Sequence, residues 1–248
     1  MNLRNICLAI FGIVLISLIM LTGGLHTVIE AAESDDVLTV DGIDPTNMSN
    51  YYAMGEYYPP DDVTELNVNW VGGRVEIVGY NGNDYFVEEA ATRQLMEEER
   101  LSYVLDGNTF SVFYLGNDQT IIDDAFKKIE IRIPNSVAKN LKSVNVNTNG
   151  EVVFKNFTSE SISVNNINSS VRFENAYAKS AEISTEGGNV VLKVSNEIGY
   201  SVDFKSKTGI MNSYIDNGKN SYISGIGTYS YSVETRSGDL SVELLREN

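Results

Sequence analysis

Few residue combinations in this chain could do chemistry. The acidic clusters are Asp61–Asp62, Asp123–Asp124 and the run Glu97–Glu98–Glu99. Two carboxylates flanking a glycosidic bond could hydrolyse it, one as acid and the other as base or nucleophile. In a strand, however, adjacent acids point to opposite faces, so these clusters read as solvated surface. Carboxylate and carbonyl oxygens also suit calcium. The sequence has no EF-hand loop and no glycine-rich aspartate nonapeptide, and Gly187-Gly188-Asn189 lacks the downstream Asp. Lys193, Lys205 and Lys207 come from successive segments that could bring them together beside acids, as a polysaccharide lyase requires. There is one His, His26, and one Cys, Cys7. Multi-His metal sites, thiolate cages and an intramolecular disulfide framework are thereby excluded. Leu3-Arg4-Asn5-Ile6 is not a small-residue lipobox, so Cys7 reads as an apolar residue. Trp70 sits at an inward strand position and reads as a core anchor, with a ligand platform as the alternative. No nucleophile elbow, phosphate loop or dinucleotide fingerprint is present. No catalytic, cofactor-binding or metal-binding residue is assigned, no cofactor is implied, and the binding residues stay open. Asn47-Met48-Ser49, Asn156-Phe157-Thr158 and Asn168-Ser169-Ser170 fit the glycosylation pattern, as an Asn- and Ser-rich chain does by chance.

Charge narrows the partners. The 248 residues carry 34 Asp plus Glu against 18 Lys plus Arg, a formal net charge of −16. Nucleic acid is excluded, since its phosphates need Lys and Arg. Passive docking on anionic lipid is disfavoured for the same reason. A hydrophobic content of 42% with 10% aromatics belongs to a globular chain.

From Ile6 to Leu21 the chain is uncharged, and the run continues to Ile29 if His26 is neutral. About 20 apolar residues span a bilayer as helix. Arg4 precedes the run; Glu30, Glu33, Asp35 and Asp36 follow it, with no Lys or Arg before Arg74. The positive-inside rule then predicts a short cytoplasmic tail over 1–5, a transmembrane anchor over 6–29, and everything later outside the cell membrane. A cleaved signal peptide is the competing reading, with Thr22-Gly23-Gly24 a tolerable site, and the chain would then be secreted.

Residues 30–64 are acidic and turn-rich and predict an extracytoplasmic linker, in which Tyr51, Tyr52, Tyr57 and Tyr58 are unusual. From Leu66 the period becomes two. Leu66, Val68 and Trp70 alternate with Asn67 and Asn69; Asp106-Gly107 joins two alternating runs as a hairpin; Ile129, Ile131 and Ile133 end at Pro134. Residues 88–100 are good helix formers flanked by strands, and both helix and strand–loop–strand remain open.

After Pro134 the chain repeats: VNVNTNGEVVF, ISVNNINSSVRF, ISTEGGNVVL, VDFKSKTGIM and YSVETRSGDLSV. The turn markers Gly150, Ser170, Gly188, Gly209 and Gly238 lie 20, 18, 21 and 29 residues apart. Such a period marks units that bury their apolar faces by stacking. The glycines suggest turns with positive φ. The expected columns are Val144, Ile162, Ile183, Val202 and Val233 before the turn, and Val152, Val171, Val190, Ile210 and Leu240 after it. Residues 216–229 would form a protruding loop. Asn145, Asn147, Ser163 and Asn165 should face outward. The fold class is all-β, a single-stranded β-helix or β-solenoid-like domain over 66–248 behind the N-terminal segment, with a β-sandwich as the alternative.

The IEIRIP strand and the units TNGEVVF, TEGGNVVL and RSGDLSV resemble the putative adhesin family of bacterial surface proteins. The resemblance spans about residues 66–245, and only Ser237-Gly238-Asp239 has the family's commoner turn. It implies a repetitive, largely parallel β-solenoid behind an export signal or anchor, and it carries no catalytic residues. The expected function is that of a non-enzymatic, membrane-anchored interaction module of the bacterial envelope, with a protein or cell-wall glycan as partner. The alternatives are an envelope-stress partner of a membrane regulator, or a polysaccharide-acting β-helix enzyme.

Overall fold

The computed structural model describes residues 38–39, 52–57, 59, 62–70, 72–95, 100–114, 127–195, 197–214, 221–225 and 227–245. The segment 6–29, together with Cys7, His26, Asn47, Glu97–Glu99 and Asp123–Asp124, lies outside the described residues. Among those described, no helix is long and apolar enough to cross a membrane.

Alternating sequence produces strands, and the strands form two mixed sheets. The nine-stranded sheet runs, edge to edge, β17 (Ser221–Ser224), β15 (Tyr200–Ser206), β18 (Tyr229–Thr235), β13 (Tyr177–Thr185), β11 (Thr158–Asn166), β9 (Ser143–Thr148), β3 (Glu65–Trp70), β7 (Thr109–Tyr114) and β6 (Leu101–Asp106). The ten-stranded sheet runs β1 (Leu38–Thr39), β2 (Tyr52–Tyr57), β5 (Phe86–Ala91), β8 (Lys127–Pro134), β4 (Arg74–Tyr80), β10 (Glu151–Lys155), β12 (Val171–Glu174), β14 (Val190–Val194), β19 (Leu240–Leu244) and β16 (Met211–Ser213). A four-residue helix, α1 (Asn135–Ala138), follows β8.

Each repeat unit gives one strand to each sheet, and unit stacks on unit in parallel register. The inward side chains of both sheets form one hydrophobic core. Phe173 stacks on Phe154 with centroids 4.6 Å apart and meets Tyr231 of the facing sheet edge-on at 5.6 Å.

The spatial order departs from chain order twice. The unit β7/β8 stacks on β3/β4 from the side opposite β9/β10. The last unit, β18/β19, lies between β13/β14 and β15/β16. The columns are therefore reordered. One reads Val144, Ile162, Ala181, Tyr231, Val202, and its neighbour Val146, Val164, Ile183, Val233, Phe204. The expected pre-turn column mixed the two, because each strand points two apolar residues inward and alternation alone does not say which pair up. On the other sheet Val152, Val171, Val190 and Leu240 do stack, but Met211 completes the column and Ile210 is 60% exposed.

The turn glycines also serve a different purpose from the one expected. Gly150, Gly188, Gly209 and Gly238 do not have positive φ. A Cβ on Gly188 would lie 1.8 Å from the Ser169 carbonyl oxygen, and one on Gly238 2.0 Å from that of Gly188. The backbone of the neighbouring unit passes too close for any side chain. A hydroxyl before the glycine holds each of these turns: Gly150 N–H donates to Thr148 Oγ1 (2.9 Å), Gly188 N–H to Thr185 Oγ1 (2.9 Å) and Gly209 N–H to Ser206 Oγ (2.8 Å), while at Gly238 Thr235 Oγ1 donates to the glycine carbonyl (2.7 Å). At the Ser169–Ser170 turn Asn166 takes the role, accepting from Ser169 N–H at 2.8 Å.

The linker and the 216–229 loop both contain unexpected strands, and the open reading of 88–100 resolves to strand at its start. Residues 52–57, inside the predicted linker, form β2 and pair with β5. Residues 86–91 are strand, because pairing with β8 outweighs the helical propensity of Glu88, Glu89, Ala90 and Ala91. Within the predicted 216–229 loop, β17 pairs antiparallel with β15.

Candidate interaction surface

The two outer faces differ in chemistry. On the ten-stranded sheet, alternation turns Lys128, Glu130, Arg132, Arg74, Glu76, Glu151, Lys155, Arg172, Glu174 and Lys193 outward, opposite the buried Ile and Val of the same strands. They neutralise one another across five strands. Lys128 Nζ lies 2.7 Å from Glu130 and 3.0 Å from Glu76; Arg132 reaches Glu130 at 2.5 Å. Lys155 also pairs with Glu76. Arg74 reaches Glu151 at 3.4 Å, Arg172 reaches Glu174 at 3.6 Å, and Lys193 reaches Glu174 at 3.1 Å. Burial works to raise the Glu76 carboxyl, but Lys155 and Lys128 outweigh it and hold the group below its ordinary range. Glu130 is held low in the same way by Lys128 and Arg132, against burial.

One ion pair faces inward. Glu89 and Lys127 are 2% and 4% exposed and 2.7 Å apart. Leu101 N–H of the facing sheet donates to Glu89 Oε2 at 2.8 Å, and the Lys127 ammonium sits 4.4 Å from the Trp70 ring centre. Burial raises the Glu89 carboxyl, with Lys127 and the Leu101 amide opposing. Trp70 is thus buried and cation-stacked, on the core side of β3. Nothing in the local sequence marked Glu89 and Lys127 as partners, because they meet only through the antiparallel β5–β8 pairing.

On the nine-stranded sheet the outward residues form rows across the strands. One row is Ser111, Asn67, Asn145, Ser163, Glu182, Ser232, Asp203; the next is Phe113, Asn69, Asn147, Asn165, Ser184, Glu234, Lys205. Asn145, Asn147, Ser163 and Asn165 are exposed, as alternation predicts. Their amides join in ladders: Asn145 Nδ2 donates to Asn67 Oδ1 (2.9 Å), Asn147 to Asn69 (3.4 Å) and Asn165 to Asn147 (3.3 Å). From β7 to β11 both rows are uncharged, and acids enter only at β13 and beyond. Phe113 is half-buried and stands on the outer side, opposite in parity to the buried Phe110 and Val112. That parity was readable in TFSVFY; its place beside Asn69 was not.

The three lysines do not converge. Lys193 is on the ten-stranded sheet, paired with Glu174, whereas Lys205 and Lys207 belong to the other sheet and its turn. Lys205 lies 3.7 Å from Asp203. A shallow open depression of about 450 Å³ is lined by Lys205, Lys207, Arg236, Glu186 and Glu234, so its charges are mixed. Asn156, of the second glycosylation-like triplet, occupies a left-handed corner (φ 56°), and Asn175 (φ 54°) of the next unit donates to it at 3.2 Å.

No family model matches the chain, and no curated protein matches it. It is similar to the solved structure of a "putative cell adhesion protein" from Clostridium sporogenes ATCC 15579, at 13% identity and a TM-score of 0.47, over 77% of this chain and 99% of that one. It is also similar to a "putative adhesin" from Bacteroides fragilis NCTC 9343, at 13% identity and a TM-score of 0.30, over 79% of this chain and 97% of that one.

Proposed function

We propose that this chain is a non-enzymatic, adhesin-like interaction module of the bacterial envelope. In this reading residues 6–29 hold it to the membrane and the β-domain lies outside. The repeat is read as solenoid-like, with two units inserted out of chain order. The observation that carries the reading is the part of the nine-stranded sheet's outer face from β7 to β11, where two rows of uncharged side chains repeat from strand to strand. A regular array of this kind suits a repetitive or extended partner surface, where many weak contacts add through effective concentration. The opposite face is occupied by its own ion pairs. Lys193 lies on the opposite sheet from Lys205 and Lys207, so the three lysines do not converge as the lyase alternative required, although Lys205 and Lys207 share a shallow depression with Glu186 and Glu234.

The test uses the full chain in its own cells. Protease added outside is expected to degrade the β-domain while an N-terminal tag stays protected. Ser163→Arg and Asn145→Arg, on exposed positions, are expected to reduce attachment of cells to their surface without changing the amount of protein, while Ser241→Arg on the opposite sheet leaves attachment unchanged. Full protection of the β-domain from external protease, or equal attachment in all three variants, overturns the reading.

A further inference from the structure

We infer that the row headed by Phe113 and continued by Asn69, Asn147 and Asn165 binds a linear, uncharged polysaccharide whose axis crosses the strands. This rests on the interaction-module reading and names the ligand class of that face.

The argument begins with the amides. A primary amide has two N–H donors and two acceptor lone pairs. In the ladder Asn147 donates to Asn69 and accepts from Asn165, so one N–H and one lone pair remain for a ligand. The parallel register sets the three amides of Asn69, Asn147 and Asn165 on neighbouring strands, about 4.8 Å apart. That spacing is close to the length of one pyranose unit in an extended glycan. A pair of neighbouring hydroxyls on a sugar needs one donor and one acceptor side by side, which each rung supplies. The ladder also fixes the amides before binding, so little side-chain freedom is lost.

Phe113 supplies the second component. It is half-buried yet does not belong to the core, and its register places it against Asn69. An aromatic face at the end of an amide row offers a C–H-bearing sugar face something to stack on. Charge sets the class. In a chain of net charge −16, the two rows from β7 to β11 carry no charged residue, and further along them the acids Glu182, Glu234 and Asp203 outnumber the one cation, Lys205. An anionic polymer would be repelled from that side, whereas a neutral one is not. A protein partner would call for a cluster of buried aromatic anchors, and the row offers a single ring.

The experiment titrates cellohexaose, the hexamer of N-acetylglucosamine and polygalacturonate into the full-length chain, purified in a zwitterionic detergent without a sugar headgroup. Saturable binding is expected for at least one neutral hexamer and not for polygalacturonate, with little dependence on salt. Phe113→Ala and Asn147→Ala are each expected to weaken it by about tenfold or more, with unchanged melting, while Ser241→Ala has no effect. Asn165→Ser, which keeps a small polar group, serves if Asn147→Ala melts early. No saturable binding of either neutral hexamer, or equal affinity in the variants, overturns the inference. If attachment in cells is still lost with Asn145→Arg, the interaction reading stands, the partner is a protein, and only the glycan assignment falls.

Discussion

At the scale of single residues, the repeat depends on side chains that are absent as much as on those present. Gly188 and Gly238 sit in successive units with a neighbour's carbonyl oxygen 1.8 and 2.0 Å from where a Cβ would stand. Adding one methyl must push two backbones apart inside a stacked core, and such overpacking costs about 1–3 kcal/mol. Gly238→Ala is therefore expected to lower stability by that amount in urea denaturation. Phe173→Ala should cost more, about 3–5 kcal/mol, since it removes a fully buried ring from between Phe154 and Tyr231. Asn145→Ala, on the outer side of the same fold, should stay within about 0.5 kcal/mol. The inward and outward sets were legible in the sequence, because a strand's period of two is fixed by its geometry. The reason for the glycines was not. It lies in the distance between units, and only the stacking reveals it.

At the scale of elements, unit length and turn position were readable from Gly150, Gly188, Gly209 and Gly238, but unit order was not. Units that repeat the same alternation present similar backbone edges, so local sequence does not decide whether β15 or β18 pairs with β13. The register records the outcome: Ile183 meets Val233, and Val233 meets Phe204. The exchange has a mechanical consequence. In a stack built in chain order the last unit is an end piece. Here β18/β19 separates β15/β16 from the rest of the sheets, and β15 has only β17 on its other side. A chain ending at residue 228 should leave 200–214 without its parallel partners. Hydrogen exchange is expected to show amide protection lost throughout 200–214 and at the exposed edges of β13 and β14, with β9 to β12 retaining theirs. Retained protection at 200–206 in the truncated chain would mean that β15 can pair directly with β13.

At the scale of the whole molecule, the two faces divide the charge, and that division sets the response to acid. The ten-stranded face is a lattice of ion pairs centred on Glu76 and Glu130, both held below their ordinary value of 4.5 in the folded state by Lys128, Lys155 and Arg132. Below 4.5 the unfolded chain takes up protons at these positions before the folded chain does. Stability from the lattice is thus fully present above the ordinary carboxylate pKa and is lost as pH falls through the depressed folded values. Glu89 has the opposite sign. Its carboxyl is raised by burial, so its contribution is greatest in acid and declines as pH rises from 4.5 through its folded value. Denaturation midpoints measured from roughly pH 3 to pH 7 should therefore fall on the acid side. Glu76→Gln should flatten that acid limb and lower the midpoint at neutral pH, where it leaves Lys128 and Lys155 with a weaker partner. Ser163→Ala, in an uncharged stretch of the opposite face, should leave the shape of the curve unchanged. An acid limb as steep in Glu76→Gln as in the unmodified chain would mean that carboxylates outside this lattice govern the acid response.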